Sequence, residues 1–241
     1  MTKESNHWHQ SLPIVKWVFW GSQSFLNSYP LPGYQNTELD VSFLPLLQRR
    51  RLNFLSKIFF YIVNACKAPT KNTPIIYGSR YGELPRTINI LKSLGANEPI
   101  SPTDFSHSVH NTPIALYSIF TKNQKPMNAL AAGEDTLMAT LLETAASFQM
   151  EKKDVLLVFV EDQMPDPYTQ PNLEEALHAY GLAILVSSVN PQFYLSWQKK
   201  GLPQKRTLQV ASFVKGLYEN ESNFSLFFLD HEYVFNKGRH D

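Results

Sequence analysis

Several short patterns in the sequence bring together residue types that do chemistry. His107 and His110 form an H-x-x-H step, which could set two imidazoles on one face of a helix and serve zinc. Zinc needs a third protein ligand, no matching cluster stands nearby, and so no metal is expected. Gly78 to Gly82 (GSRYG) is close to a hydrolase elbow, yet Ser79 is second rather than central and the G-x-S-x-G pattern fails. The single cysteine, Cys66, has no disulfide partner and falls late in an apolar segment, where a buried inert thiol is expected. Glu134 and Asp135 stand where a helix should start, a position that stabilises anionic side chains. No Gly-rich phosphate cradle followed by Lys-Ser/Thr is present, and no cofactor is expected.

The chain has 241 residues, enough for one large domain or two small ones. Its 22 basic and 21 acidic residues leave a formal charge of +1, too little to draw a polyanion or an anionic membrane, so no nucleic-acid partner is expected. Charged residues make up 18% and aromatic residues 13%, against about 25% charged in an average soluble domain. Some outer surface is therefore expected to be covered by a protein partner. Arg49, Arg50 and Arg51 could attract an acidic carrier protein, although three adjacent positions cannot share one helix face and a solvated face is the plainer reading. The most apolar window, Ile58 to Cys66, is far shorter than the ~20 residues needed to cross a bilayer. The first residues, MTKESNHWHQ, lack the apolar stretch of a secretory signal, and a cytoplasmic location is expected.

The elements that must position these residues follow from periodicity. Ile14–Trp20 reads as a strand, and Phe43–Cys66 as an amphipathic helix through Leu44, Leu47, Leu55, Ile58, Phe59, Ile62 and Val63. Pro74–Ser79 reads as a buried strand, Gly82–Leu94 as a helix and Ser106–Phe120 as another. A short strand at Met127–Ala131 and a helix at Glu134–Gln149 follow. Asp154–Asp162 (DVLLVFVED) is continuous in Val, Leu and Phe, as a strand covered on both faces requires, and Gly181–Val189 is the next strand. A helix at Leu208–Tyr218 and a strand at Phe224–Leu229 complete the series. The alternation implies an α/β domain with a mainly parallel sheet and right-handed crossovers.

The stretch SPTDFSHSVHNTPIALYSIF (Ser101–Phe120), followed by PMNALAAGEDTLMATLLETA and DVLLVFVED, resembles the amino-terminal half of a β-ketoacyl synthase. The resemblance extends to the Arg-rich first helix and the YGSRYGE strand end, and covers roughly residues 14–189 of a single ketosynthase-like domain spanning 1–241. It implies a thiolase-like half fold, with residues 190–241 as a short remnant too small for the family's carboxy-terminal repeat and its two catalytic His residues. His231 and His240 lack the Gly-rich surroundings the family gives them.

In that family the short strand delivers a nucleophilic Cys to a turn at a helix start, where amide dipoles acidify the thiol. Here the corresponding turn reads Ala131, Ala132, Gly133 and Glu134, without Cys or Ser. Resemblance to short synthase-like proteins of aryl polyene and related type II polyketide or fatty-acid-like clusters implies a catalytically silent chain-length-factor-like subunit. Such a subunit would form a heterodimer with a full-length β-ketoacyl synthase, with an acyl carrier protein as a further candidate partner. Ala115, Leu116, Ile119 and Phe120, read as one stripe, would bound the partner's acyl tunnel, with His107 and His110 near the subunit boundary. Two alternatives remain open at this point: a divergent condensing enzyme or malonyl decarboxylase using Glu134, and a homodimeric carrier-protein docking module.

Overall fold

The computed structural model describes residues 10–68, 72–151, 153–165, 178–201, 209–219, 222–228 and 231–238. Strand β1 (Gln10–Gly21) is followed by helices α1 (Gln23–Ser28), α2 (Leu46–Arg49) and α3 (Phe54–Cys66). Next come β2 (Ile75–Gly78), α4 (Leu84–Gly95), α5 (Pro102–Ser106), α6 (Thr112–Thr121), β3 (Met127–Leu130) and α7 (Thr136–Glu151). Strands β4 (Val155–Glu161), β5 (Tyr180–Val186) and β6 (Phe193–Gly201) precede α8 (Gln209–Tyr218), β7 (Asn223–Phe228) and β8 (His231–Gly238). Leu208, Leu229 and His240 lie outside the described residues.

The strands form one sheet in the order β3-β2-β4-β5-β1-β6-β8-β7, so the α/β class expected from the alternation stands. The expectation of a mainly parallel sheet is corrected. Only β3, β2 and β4 run parallel, while β5, β1, β6, β8 and β7 each pair antiparallel with their neighbours. Parallel neighbours need a long crossover, which the helices between β2, β3 and β4 supply, whereas β7 and β8 meet at Phe228↔His231 as a hairpin. Strand β6 was readable as alternation, since Phe193, Leu195 and Trp197 are buried between more exposed neighbours, and β8 pairs along it with Phe235 opposite Trp197.

Successive residues of β4 feed two cores, as a strand buried on both sides must. Leu157 and Phe159 join the core beneath α7 and α8, while Leu156, Val158 and Val160 join the one beneath α3 and α6. Gly181 in β5 lets α3 approach, because a Cβ there would lie 2.6 Å from Cγ2 of Ile58. Cys66 is buried, as expected, and burial pushes its thiol up to about 11.

Two helices read as continuous are each broken, for local reasons. Phe43–Cys66 splits because Pro45 precedes α2 and Asn53, in extended backbone, caps α3 by accepting a 2.9 Å bond from the Ser56 amide. The helix read as Ser106–Phe120 begins only at Thr112, with Ser106 ending the separate α5, because Pro113 has no amide proton to give and is tolerated only in a first turn.

Phe59 is fully buried, with ring centroids of Phe60, Tyr77 and Tyr117 at 5.7, 5.8 and 5.8 Å. Phe59→Ala is expected to lower the unfolding free energy by about 3–5 kcal/mol, read as a lower urea midpoint at unchanged slope.

Candidate functional site

The C-terminal ends of the three parallel strands lie side by side, the usual place for a site in such a sheet. Strand β3 runs into Ala131 and Ala132, then a 3-10 turn (Gly133–Asp135), and α7 begins at Thr136, two residues later than the sequence suggested. Gly133 sits at φ +58, a conformation in which a Cβ is strained. The turn is held by Thr136, whose Oγ1 accepts from the Ala132 amide at 3.0 Å and donates to the Gly133 carbonyl at 2.7 Å. That hydroxyl is thus engaged at both ends, and Ala131, Ala132, Gly133 and Glu134 are all exposed.

Glu134 faces Arg80 across 4.0 Å, and its carbonyl accepts a 3.0 Å bond from Nε2 of Gln209 on α8. Arg80 also stacks 4.9 Å above the Tyr81 ring. The cavity enclosed by these residues together with Leu137, Phe159 and Tyr180 measures about 10 Å³. That is the space of about one water molecule and cannot hold an acyl chain.

The turn after β2 is fixed from β4. Glu161 is buried, and its carboxylate accepts from Ser79 Oγ at 3.1 Å, from the Tyr81 amide at 3.4 Å and from the Arg80 amide. Ser79 Oγ accepts from the Gly82 amide at 2.8 Å, and the Ser79 carbonyl lies 2.7 Å from Nε2 of His110. His110 is therefore a brace beside Gly82, where a Cβ would press on its ring. His107 is the C-cap of α5, on a different element from His110, so the two imidazoles do not share a helix face as their spacing suggested. No cluster of three or more metal-ligating side chains forms among the described residues.

A second group of acids lies at the start of α4. Glu83 is buried, with Oε2 accepting from Nδ2 of Asn53 at 2.5 Å and from Nε of Arg86 at 3.4 Å. Burial pushes its carboxyl up to about 7 despite those donors, and burial likewise pushes Asp162 up to about 6. Burial also lowers His107, with Arg86 and Arg51 adding to the effect. Sequence reasoning passed over Glu161, Asp162, Glu83 and Gln209. The available signal was a pair of acids closing a wholly apolar strand, since a carboxylate is placed there only where donors meet it.

The stripe proposed on α6 divides. Ala115 is exposed and Ile119 is 67% exposed, whereas Leu116 is buried and Phe120 is half-buried with its ring 5.6 Å from that of Phe60. Neighbouring helix positions point about 100° apart, so 115 and 119 share one face and 116 and 120 another. The outward pair lies on the helix leading into β3, which is an edge of the sheet.

The family model for the β-ketoacyl synthase N-terminal domain matches residues 17–240. The chain belongs to that family. Among solved structures it resembles a chain of the complex of ketosynthase ApeO with its chain length factor ApeC from Xenorhabdus doucetiae, at 23% identity and a TM-score of 0.76. The match covers 94% of this chain and 99% of that one. It also resembles a β-ketoacyl synthase from Burkholderia phymatum STM815, at 10% identity and a TM-score of 0.50, over 88% of this chain and 71% of that one. No curated protein matches. These likenesses establish a ketosynthase-like half fold. No helix among the described residues is long and apolar enough to cross a membrane.

The acids at α4 have a consequence for stability. Their folded-state values lie above the ordinary carboxylate range, so the folded protein holds protons that the unfolded chain has released, and stability falls as pH rises. The unfolding free energy is expected to decline between about pH 4 and 7, and Glu83→Gln to flatten the decline. Denaturant titrations across that window check both.

Proposed function

We propose that the protein is a non-catalytic, chain-length-factor-like subunit that forms a heterodimer with a full-length β-ketoacyl synthase in the cytoplasm. In this reading it stabilises that enzyme and bounds its acyl tunnel during aryl polyene or related chain elongation. The observation that carries the reading is the elbow: a ketosynthase half fold whose strand-to-helix turn reads Ala, Ala, Gly and Glu, with only a cavity of about 10 Å³ beside Gly133 and Glu134. Acyl transfer needs a nucleophile to form the thioester or ester, and a space for the chain beside it. The turn supplies neither, and Thr136, the nearest hydroxyl in sequence, is engaged in holding it.

What remains is suited to association. Strand β3 leaves one side of its backbone without a strand partner among the described residues, an edge that invites pairing. Beside it α6 presents Ala115 and Ile119, while Leu116 and Phe120 support that face from within. In our reading Ala115 and Ile119 reach the partner's tunnel, with His107 and His110 bracing the boundary from behind. The likeness to a chain of a ketosynthase–chain length factor complex supports this arrangement. Arg50 and Arg51, exposed just beyond α2, make an acyl carrier protein the second proposed partner.

Co-expression with the full-length synthase encoded by the same organism is expected to yield one co-eluting complex. Ile119→Asp should weaken it by about tenfold or more while changing the stability of the isolated chain by less than about 0.5 kcal/mol. Two separately eluting proteins, or covalent acylation of the isolated chain by an acyl donor, would refute the proposal. A stable homodimer that excludes the synthase would instead favour a docking module.

A further inference from the structure

A cavity of about 400 Å³ opens away from the elbow, between the start of α3, the outer side of α4 and the start of α5. Phe54, Pro85, Ile90 and Ile100 give it apolar walls, and Arg86, Asp104 and Asp162 give it charge. Its charges do not balance. Arg86 donates from Nη1 to Asp104 at 2.5 Å and from Nε to Glu83 at 3.4 Å, so the guanidinium in the wall is already shared by two carboxylates. Asp162 then has no cation against it among the described residues, its Oδ1 accepting only from the Gln163 amide at 2.7 Å. Residues 163–177, which follow it, contain no Lys or Arg. Behind the wall Glu83, bonded to the lining residues Asn53 and Arg86, keeps Oε1 buried without a hydrogen-bond partner among the described residues.

With Arg86 shared between Glu83 and the half-exposed Asp104, the partly buried Asp162 is left without a cation among the described residues, and the wall beside it is short of positive charge. An anion would meet Asp162 and Asp104 before it found a free donor on Arg86. A cation would relieve both the Asp162 carboxylate and the repulsion it exerts on Glu83. The apolar walls call for a stem behind that charge, since a bare metal ion would leave Phe54, Ile90 and Ile100 unfilled. We propose that this cavity binds an organic cation, an ammonium or guanidinium group carried on a short apolar stem. The site is separate from the elbow and from the α6–β3 face, and its occupation does not depend on the pairing proposed above.

The full chain, isotopically labelled, is titrated by NMR with n-butylguanidinium, with the uncharged isostere n-butylurea, and with arginine capped at both ends. Saturable shifts at Asn53, Arg86, Asn89 and Asp162 are expected with n-butylguanidinium, and the urea should bind about tenfold more weakly or not at all. Asp162→Asn should weaken the guanidinium by about tenfold and leave the urea unchanged. Ile90→Trp, which fills the cavity, should abolish both and serves as a second variant should the first misfold. Capped arginine binding as tightly as the alkyl cation would assign the ligand to a protein side chain, and its exclusion would assign it to a free amine or guanidine. Equal binding of the charged and uncharged probes, no saturation, or unchanged binding in either folded variant overturns the proposal.

Discussion

The buried carboxylate of Glu161 ties the end of β4 to the turn that follows β2, accepting from Ser79 Oγ and from the Arg80 and Tyr81 amides. An isolated buried carboxylate would be strongly unfavourable, so the chain is held to the geometry that supplies those donors. That geometry sets Arg80 toward Glu134, and it orients the Ser79 carbonyl toward His110. The elbow after β3 and the approach to α6 are thus positioned by one side chain on a neighbouring strand. An apolar residue at 161 would leave those donors seeking water in a space that admits little of it.

The sheet imposes the second constraint. Strands β4 and β5 are buried throughout, so helices must cover both faces, and α3 with α6 and α7 with α8 divide the task. Beyond β1 the sheet grows by antiparallel addition of β6, β8 and β7, where Phe213, Phe224 and Phe235 form a compact aromatic group with centroids 5.3 to 5.7 Å apart. Among the described residues, β6, α8, β7 and β8 after Val189 are therefore an integral extension of the sheet and its helical cover. Through Gln209 at the start of α8 this extension also reaches back to hold the elbow.

The sequence made the buried strands and most helices legible because continuous apolar runs and three-to-four-residue steps are strong signals. It was less informative where capping chemistry competes with periodicity. Leu47 and Leu55 keep a helical rhythm across Asn53, yet the Asn53 side chain bonds the Ser56 amide and starts a new helix there. Strand direction was misjudged because the wholly buried runs of β4 and β5 carry no mark of direction, and because β6 and β8, with Lys, Asn and Glu among their apolar positions, were passed over. At the site, the motif marked the strand-to-helix turn after β3, but no local pattern pairs Glu161 with Ser79 or Gln209 with Glu134. Both act on residues far along the chain, over sequence separations of 82 and 75.

The elbow also shows how scaffold and chemistry can be separated. A strand-to-helix turn with a left-handed Gly133 and a Thr136 cap is stable whatever side chain stands at its apex, because its hydrogen bonds come from the Ala132 amide, the Gly133 carbonyl and the Thr136 hydroxyl. The apex is free to vary without unfolding the turn, whereas the cavity behind it is filled by Leu137, Phe159 and Tyr180 from three different elements. Opening that cavity would mean repacking the core beneath α7 and α8, to which all three belong. In the proposed reading, a thiol placed at the apex would leave an attached chain without space behind the turn, so packing as well as the residue types at the turn would oppose acyl transfer.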